Sequence, residues 1–295
     1  RQKRLVMIIE DIMFALRKAL RPILKRFQYA LMRNVRARSP EEKRILAEGS
    51  RILANSIPKA GTNLLSRTIE MMPNTVDRWT YHIDETLPGI KRQLSAGKRG
   101  QIVTAHLPWT PKIASTVSQL DYRVLLMIRD PRDIAVSVVN YVYCMDLSHP
   151  LHRALTKLPD DDARLLFMIE PPEEVTAELP DIWKNSGLAT FMPWIDEPSC
   201  LTVRFEDLVG AQGGGNEERQ RKIIQAIAVH IGANSSSLLV EKIRQDLFGN
   251  SRSKTFHKGQ IGGWKQHFKS AHKAAFKRHY SHALVRLGYE TGSDW

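Results

Sequence analysis

Cysteine is scarce: two in 295 residues, Cys144 and Cys200. Two thiols cannot build the disulfide framework of a small secreted domain, and their spacing fits no zinc-ligand pattern. The expectation is two buried or half-buried thiols in a reducing compartment. Long apolar runs are also missing. No stretch reaches the ~18 apolar residues that span a bilayer. Leu5–Ile9 and Ile12–Leu16 are parted by Glu10 and Asp11. No small-residue cleavage site follows a compact apolar core, so no secretory signal is expected and the chain reads as cytoplasmic. Aromatics are only 7% of the residues and no nucleic-acid-binding motif occurs, which speaks against nucleic acid as a partner. The Walker A spacing, four residues between two glycines and then Lys-Ser/Thr, is absent too.

What is present is an apolar fraction of 42%, enough for one large domain or two small ones. Charge is plentiful and uneven. Residues 1–38 carry eleven Lys/Arg and two acids, a net +9, and residues 251–286 carry nine Lys/Arg and no acid, again +9. Against a total of +13 the rest of the chain is net −5. Two basic ends imply an anionic partner: nucleotide phosphates, nucleic acid, an anionic glycan or a lipid surface.

In residues 5–36, Leu16, Leu20, Ile23, Leu24, Phe27 and Leu31 alternate with Arg17, Lys18, Arg21, Lys25 and Arg26, with a break near Pro22. This predicts a basic amphipathic helical arm over residues 1–45. Such an arm packs on the body, packs on a second subunit, or lies peripherally on an anionic membrane. Ser39-Pro40-Glu41-Glu42 has the form of a helix start.

Residues 46–295 read as the main domain. Ile52–Ile57, Gln101–Ala105, Val124–Arg129 and Leu201–Phe205 have the apolar character of strands and alternate with helical patterns. The class is therefore α/β, a central parallel β-sheet flanked by helices. Residues 144–200 are rich in proline and acids without a clear period, and read as an excursion over one face, an acceptor loop or lid. After "AQGGGN" at 211–216 a helix is expected over Glu217–Ile231, and Ser235–Ser237 can cap the next.

Three segments carry chemistry. In "ILANSIPKAGTNLLSRTIEMM", residues 52–72, a strand gives way to a short loop and then a helix. Backbone N–H groups at such a helix start form a hollow for an anion. Gly61 permits close backbone approach, Thr62 and Asn63 add donors, and Lys59 adds charge. Next comes Arg129 at the end of a buried strand, with Ser137 two turns into the following helix. Ligands of open α/β sheets bind at the carboxyl ends of the strands, and a guanidinium fork matches phosphate. A structural alternative pairs Arg129 with Asp130 or Asp133. The third segment, "KTFHKGQIGGWKQHF" at 254–268, sets Lys254, Lys258 and Lys265 among Gly259, Gly262 and Gly263. Phe256 and Trp264 offer flat apolar surface for a base.

Taken in order, PK-x-G-T, R-D-P-R-D-x-x-x-S and K-G-x-x-G-x-W-K resemble the sulfotransferase family that uses 3′-phosphoadenosine 5′-phosphosulfate (PAPS), over about residues 50–290. The resemblance implies a P-loop-like architecture. It also implies sulfuryl transfer from PAPS to a hydroxyl or amine of a glycan or small-molecule acceptor, without a metal. By position, the 5′-phosphosulfate loop falls on Lys59, Ala60, Gly61, Thr62 and Asn63, with Lys59 also stabilising charge. The 3′-phosphate contacts fall on Arg129, Ser137, Lys258 and Gly259. "VRFEDL" places Phe205 beside the adenine, and "HLP" makes His106 the general base.

Several positions depart from the family pattern. Leu64 stands where animal cytosolic enzymes have a stacking Trp, and Phe205 lacks the usual Tyr hydroxyl. His257 replaces an Arg, and Gly263 replaces an acid. Lys269, Ser270 and Ala274 stand where the dimerisation motif would be. The set points to a bacterial-type branch. Competing classes are a P-loop-type kinase for a nucleotide or small molecule, and a nucleotide-dependent membrane- or nucleic-acid-binding module. His267, His272, His279 and His282 are expected on solvated helix faces, and His82 in a loop. Trp79, Tyr81, Trp109, Trp183, Phe191 and Trp194 are loop aromatics that could line an acceptor pocket.

Overall fold

A computed structural model describes residues 20, 36–83, 89–147, 149–176, 187–247 and 260–295. The expected basic arm lies outside the described residues except for Leu20, which is exposed, and its last stretch. There, helix α1 (Pro40–Glu48) begins as its sequence requires. Ser39 Oγ accepts from the Glu42 N–H at 3.1 Å, Pro40 fills the first turn, and Ile45 packs on Val76 and Trp79.

Five parallel strands form one sheet: β1 (Arg51–Ser56), β2 (Tyr81–His82), β3 (Ile102–Ala105), β4 (Tyr122–Ile128) and β5 (Cys200–Arg204). Their spatial order is β2-β3-β1-β4-β5. Leu53 pairs with Val103 on one side and Val124 on the other, and Met127 pairs with Val203. Leu53, Val103, Val124 and Met127 are fully buried. This explains the uninterrupted apolar runs: both faces of the sheet are covered. Helices α2 (Thr62–Glu70), α3 (Ile90–Ala96), α4 (Pro111–Gln119) and α5 (Pro131–Asn140) follow the first four strands. Helices α6 (Asp161–Ile169), α7 (Glu217–His230), α8 (Ser237–Leu247) and α9 (Ser270–Arg286) complete the shell. Asn216 caps α7 and Ser236 caps α8 through side-chain oxygens.

The order reverses at β1, with β2 and β3 on one side and β4 and β5 on the other. All strands point the same way, so their carboxyl ends open on a single crevice at that switch point.

Several expectations are corrected. The Tyr81–His82 stretch is not loop: it pairs with Val103 and Thr104 as an edge strand. Two residues are too few to show a period. The 144–200 excursion is largely helical where described, and it feeds the core. Phe191 and Trp194 are fully buried, with Trp194 Nε1 donating to the Leu107 carbonyl at 2.9 Å. Trp79 and Tyr81 are buried as well, so none of these four offers open acceptor-binding surface. His272 is buried, not solvated: it accepts from the Lys269 N–H and meets the Asp162 carbonyl at 2.9 Å, pinning α9 to α6. His279 pairs with Glu170 at 2.9 Å, while His267 and His282 are exposed as expected. Cys144 is exposed; Cys200 is half-buried, its thiol pushed up to about 12 by burial.

Candidate active site

The first wall of the crevice is the turn from β1 into α2. Two of its residues take left-handed backbone: Lys59 at φ 65° and Gly61 at φ 116°. A left-handed lysine is unusual, and strain of this kind concentrates at functional positions. Glycine at 61 is obligatory for a second reason. A Cβ there would lie 2.9 Å from Met127 Cε and 2.9 Å from Phe205 Cδ2. The turn is therefore seated directly on Met127 of β4 and on Phe205, just past β5, and its Ala60 N–H donates to the Ile57 carbonyl at 3.0 Å. Ala60 is buried beneath it, Thr62 is half-buried and Asn63 is exposed.

Lys59 Nζ lies 4.0 Å from the centroid of the Tyr141 ring. Helix α5 runs on into a single π-helical turn, Tyr141–Met145, and that turn presents the ring. Burial pulls the Lys59 pKa below the ordinary lysine value, and the Arg129 charge lowers it further.

His106 directly follows β3. Its Nδ1 is 2.8 Å from the Ser56 carbonyl and 3.2 Å from Ser56 Oγ. A carbonyl only accepts, so Nδ1 carries the proton and the neutral ring has its lone pair on Nε2. Leu107 is locked by the buried Asn55, which accepts from the Leu107 N–H at 2.8 Å and donates to its carbonyl at 3.0 Å. His106 thus hangs from the ends of two adjacent strands. The His82 ring meets it edge-on at 5.5 Å.

Arg129 directly follows β4. Its guanidinium lies 4.4 Å from the centre of the Phe205 ring, at the end of β5, and Nη2 donates to the Gln260 carbonyl at 2.9 Å. It is also 3.7 Å from Asp133, the structural pairing that the sequence offered. Its Nε is buried with no hydrogen-bond partner among the described residues. An orphaned guanidinium N–H calls for an acceptor. Together with the glycine cradle at 61 and the lysine beside it, it fits a ligand carrying two separate anionic groups.

Asp133, which the sequence offered only as a structural partner for Arg129, also clamps the late loop. It is buried, and accepts from the Gly262 N–H at 2.9 Å and the Trp264 N–H at 2.8 Å. It ties the late loop to the head of α5. Burial raises its pKa, while Arg129 and the two N–H bonds oppose that rise. The signal for it was the second Asp of "RDPRD", one helical turn after Arg129.

Trp264 is corrected. Its ring does not face a base; it is buried against Arg132 at 4.1 Å and Trp295 at 5.7 Å. Ser137 lies half-buried on α5. Lys254, Phe256, Lys258 and Gly259 lie outside the described residues, as does Trp183.

A lysine-bearing turn at the end of β1, an imidazole at the end of β3 and an arginine at the end of β4 line one crevice at the switch point of an α/β sheet. The family model of the sulfotransferase domain matches residues 50–208, and the chain belongs to that family. It is a sulfotransferase.

Bovine Sulfotransferase 1E1 is 23% identical over 264 residues, covering 77% of this chain and 81% of that one. The mouse protein of the same name is 22% identical over 259 residues, covering 81% and 85%. Among solved structures, mouse sulfotransferase SULT7A1 complexed with PAP superposes with a TM-score of 0.59 at 16% identity, over 84% of this chain and 93% of that one. Retinol dehydratase with androsterone and inactive cofactor PAP gives 0.52 at 15% identity, over 82% and 83%. These likenesses establish the central parallel sheet flanked by helices. Among the described residues no helix is long and apolar enough to cross a membrane.

Proposed function

We propose that this sulfotransferase modifies the hydroxyl of a small, largely apolar acceptor, with His106 as general base and Lys59 as the charge-stabilising group. The bond from His106 Nδ1 to the Ser56 carbonyl carries this reading. It fixes the tautomer whose Nε2 can take a proton. It also hangs the ring from the very strand end that opens into the anion turn. Retinol and androsterone, named with the solved neighbours, are both apolar alcohols, which supports the acceptor class. An amine or a glycan hydroxyl would be handled by the same base.

When bound, PAPS supplies an activated sulfuryl group. The residues of this chain do the rest. Lys59, with the N–H groups of Gly61, Thr62 and Asn63, would hold the 5′ end, while the Ala60 N–H braces the turn by donating to the Ile57 carbonyl at 3.0 Å. Lys59 also meets the charge that grows on the leaving oxygen. Arg129 holds the 3′-phosphate, joined by Ser137, Lys258 and Gly259. Phe205 supports Arg129 from beneath and borders the nucleoside. His106 Nε2 takes the acceptor proton, a task matched to an imidazole near neutral pH.

His106→Ala should keep its affinity for 3′-phosphoadenosine 5′-phosphate (PAP) in calorimetry. It should lose about 10²-fold or more in turnover, the scale of general-base loss. Wild-type turnover in that variant would remove His106 from the role.

A further inference from the structure

Ser56 is wholly buried at the end of β1, yet its side chain touches both functional walls. Its Oγ lies 3.2 Å from His106 Nδ1 and 2.6 Å from Thr62 Oγ1. The donors can be ordered from chemistry alone. The Ser56 carbonyl requires a proton on Nδ1. That N–H is also shared with Ser56 Oγ, which accepts. The single proton of the Ser56 hydroxyl then goes to Thr62 Oγ1, its acceptor among the described residues. Thr62 keeps a proton of its own to give, and it is the first residue of α2, at the anion hollow. The series runs one way: His106 to Ser56, Ser56 to Thr62, Thr62 to the hollow. His82, the other imidazole facing His106, stands apart from it, with Nδ1 at 3.0 Å from Thr104 Oγ1.

We propose that Ser56 is a positioning residue that couples the base to the occupancy of the donor site. The inference rests on the reading of His106 as the base. In the transfer step the acceptor proton passes to His106 Nε2 and the acceptor oxygen bonds to sulfur. The bond from sulfur to the phosphate oxygen breaks, and its electron pair stays on that oxygen. No proton moves along the hydroxyls; Nδ1, Ser56 and Thr62 each keep theirs. The imidazolium becomes a stronger donor to Ser56 as it forms. The two hydroxyls polarise in the same sense, toward the oxygen on which negative charge is building. With the hollow empty that polarisation has no target. Proton removal from the acceptor is thereby favoured when the donor is in place.

The test is NMR of the full chain with labelled histidine, following the His106 Nδ1–H resonance as PAP is added. PAP should move it in the wild type. Ser56→Ala keeps the backbone carbonyl, so the tautomer survives, but the PAP-induced move should be largely lost. In that variant turnover should fall about tenfold, the scale of one hydrogen bond to a charged group, while PAP affinity changes less than about twofold. Ser56→Thr should restore both readouts. Thr62→Val, at saturating PAP, breaks the same series at its other end and should also abolish the move, which covers the case of a poorly folded Ser56→Ala. An undiminished PAP-induced move in Ser56→Ala or Thr62→Val overturns the coupling. If His106→Ala turns over like wild type, the base assignment falls. If His106→Ala is inactive and Ser56→Ala behaves like wild type, only the coupling falls.

Discussion

The two ends of the site are built in different ways. At the end proposed for the sulfuryl group, Ser56, Lys59, Thr62 and His106 all hang from the ends of β1 and β3, neighbours in the sheet. At the end proposed for the 3′-phosphate, Arg129, Asp133, Phe205 and the Gln260–Trp264 stretch come from separate pieces of chain, with hydrogen-bonded partners 131 residues apart. They meet through a guanidinium stacked on a ring and a buried carboxylate gripping two N–H groups. The first end inherits its rigidity from the sheet. The second holds only while its few polar contacts hold. Damage at the first should therefore read out as lost turnover with folding intact, and damage at the second as lost stability and lost nucleotide together.

The sharpest break of that contrast is Lys59→Gly. Turnover should fall about 10²- to 10³-fold, the scale of removing one preorganised charge-stabilising donor. The unfolding free energy should meanwhile rise by about 1 kcal/mol as left-handed strain is relieved, read by denaturant titration. A parallel loss of stability would show that the turn is not braced by the sheet.

Asp133→Ala should do the opposite. It strands two N–H groups and costs roughly 3 kcal/mol in the same titration, with weaker PAP binding alongside. Unchanged stability would mean that the late loop is held by something else.

Arg129→Gln should weaken PAP about tenfold, the value of one charged hydrogen bond, and should barely affect a nucleotide lacking the 3′-phosphate. Equal losses for both nucleotides would erase the distinction between the ends.

The smallest effect is in pH. Lys59 must be protonated to act, and burial together with Arg129 lowers its pKa. Turnover should therefore fall on the alkaline side before a free lysine would titrate. Arg129→Gln removes the second cause, so that limb should move to higher pH. A limb that stays in place or moves lower would disconnect the two residues.

The strand-end positions of the turn, Arg129 and the "HLP" histidine were legible because each belongs to a local device: a strand, a short link and a helix start. The same holds for the Ser39 and Ser236 caps, for the start of α7 near Glu217, and for four of the five described strands. The clamp made by Asp133 was not legible, because an acid in a first turn reads equally well as a helix-dipole partner. Its meaning depends on backbone N–H groups far along the chain. Trp264 was misread for a similar reason. A tryptophan beside glycines and lysines looks available, and only the arrival of Arg132 and Trp295 buries it. His272 and the core aromatics of the excursion, Phe191 and Trp194, share that cause.

The order of residues by itself determined the class of fold, the family and the chemical type of each strand-end group, since these depend on short-range patterns and fixed spacings. Tertiary structure decided which proton sits on His106, that Ser56 and Thr62 stand between it and the anion turn, and which acid clamps the distant loop. Those are matters of ångström-scale distance and donor direction, set when separate strands come into register.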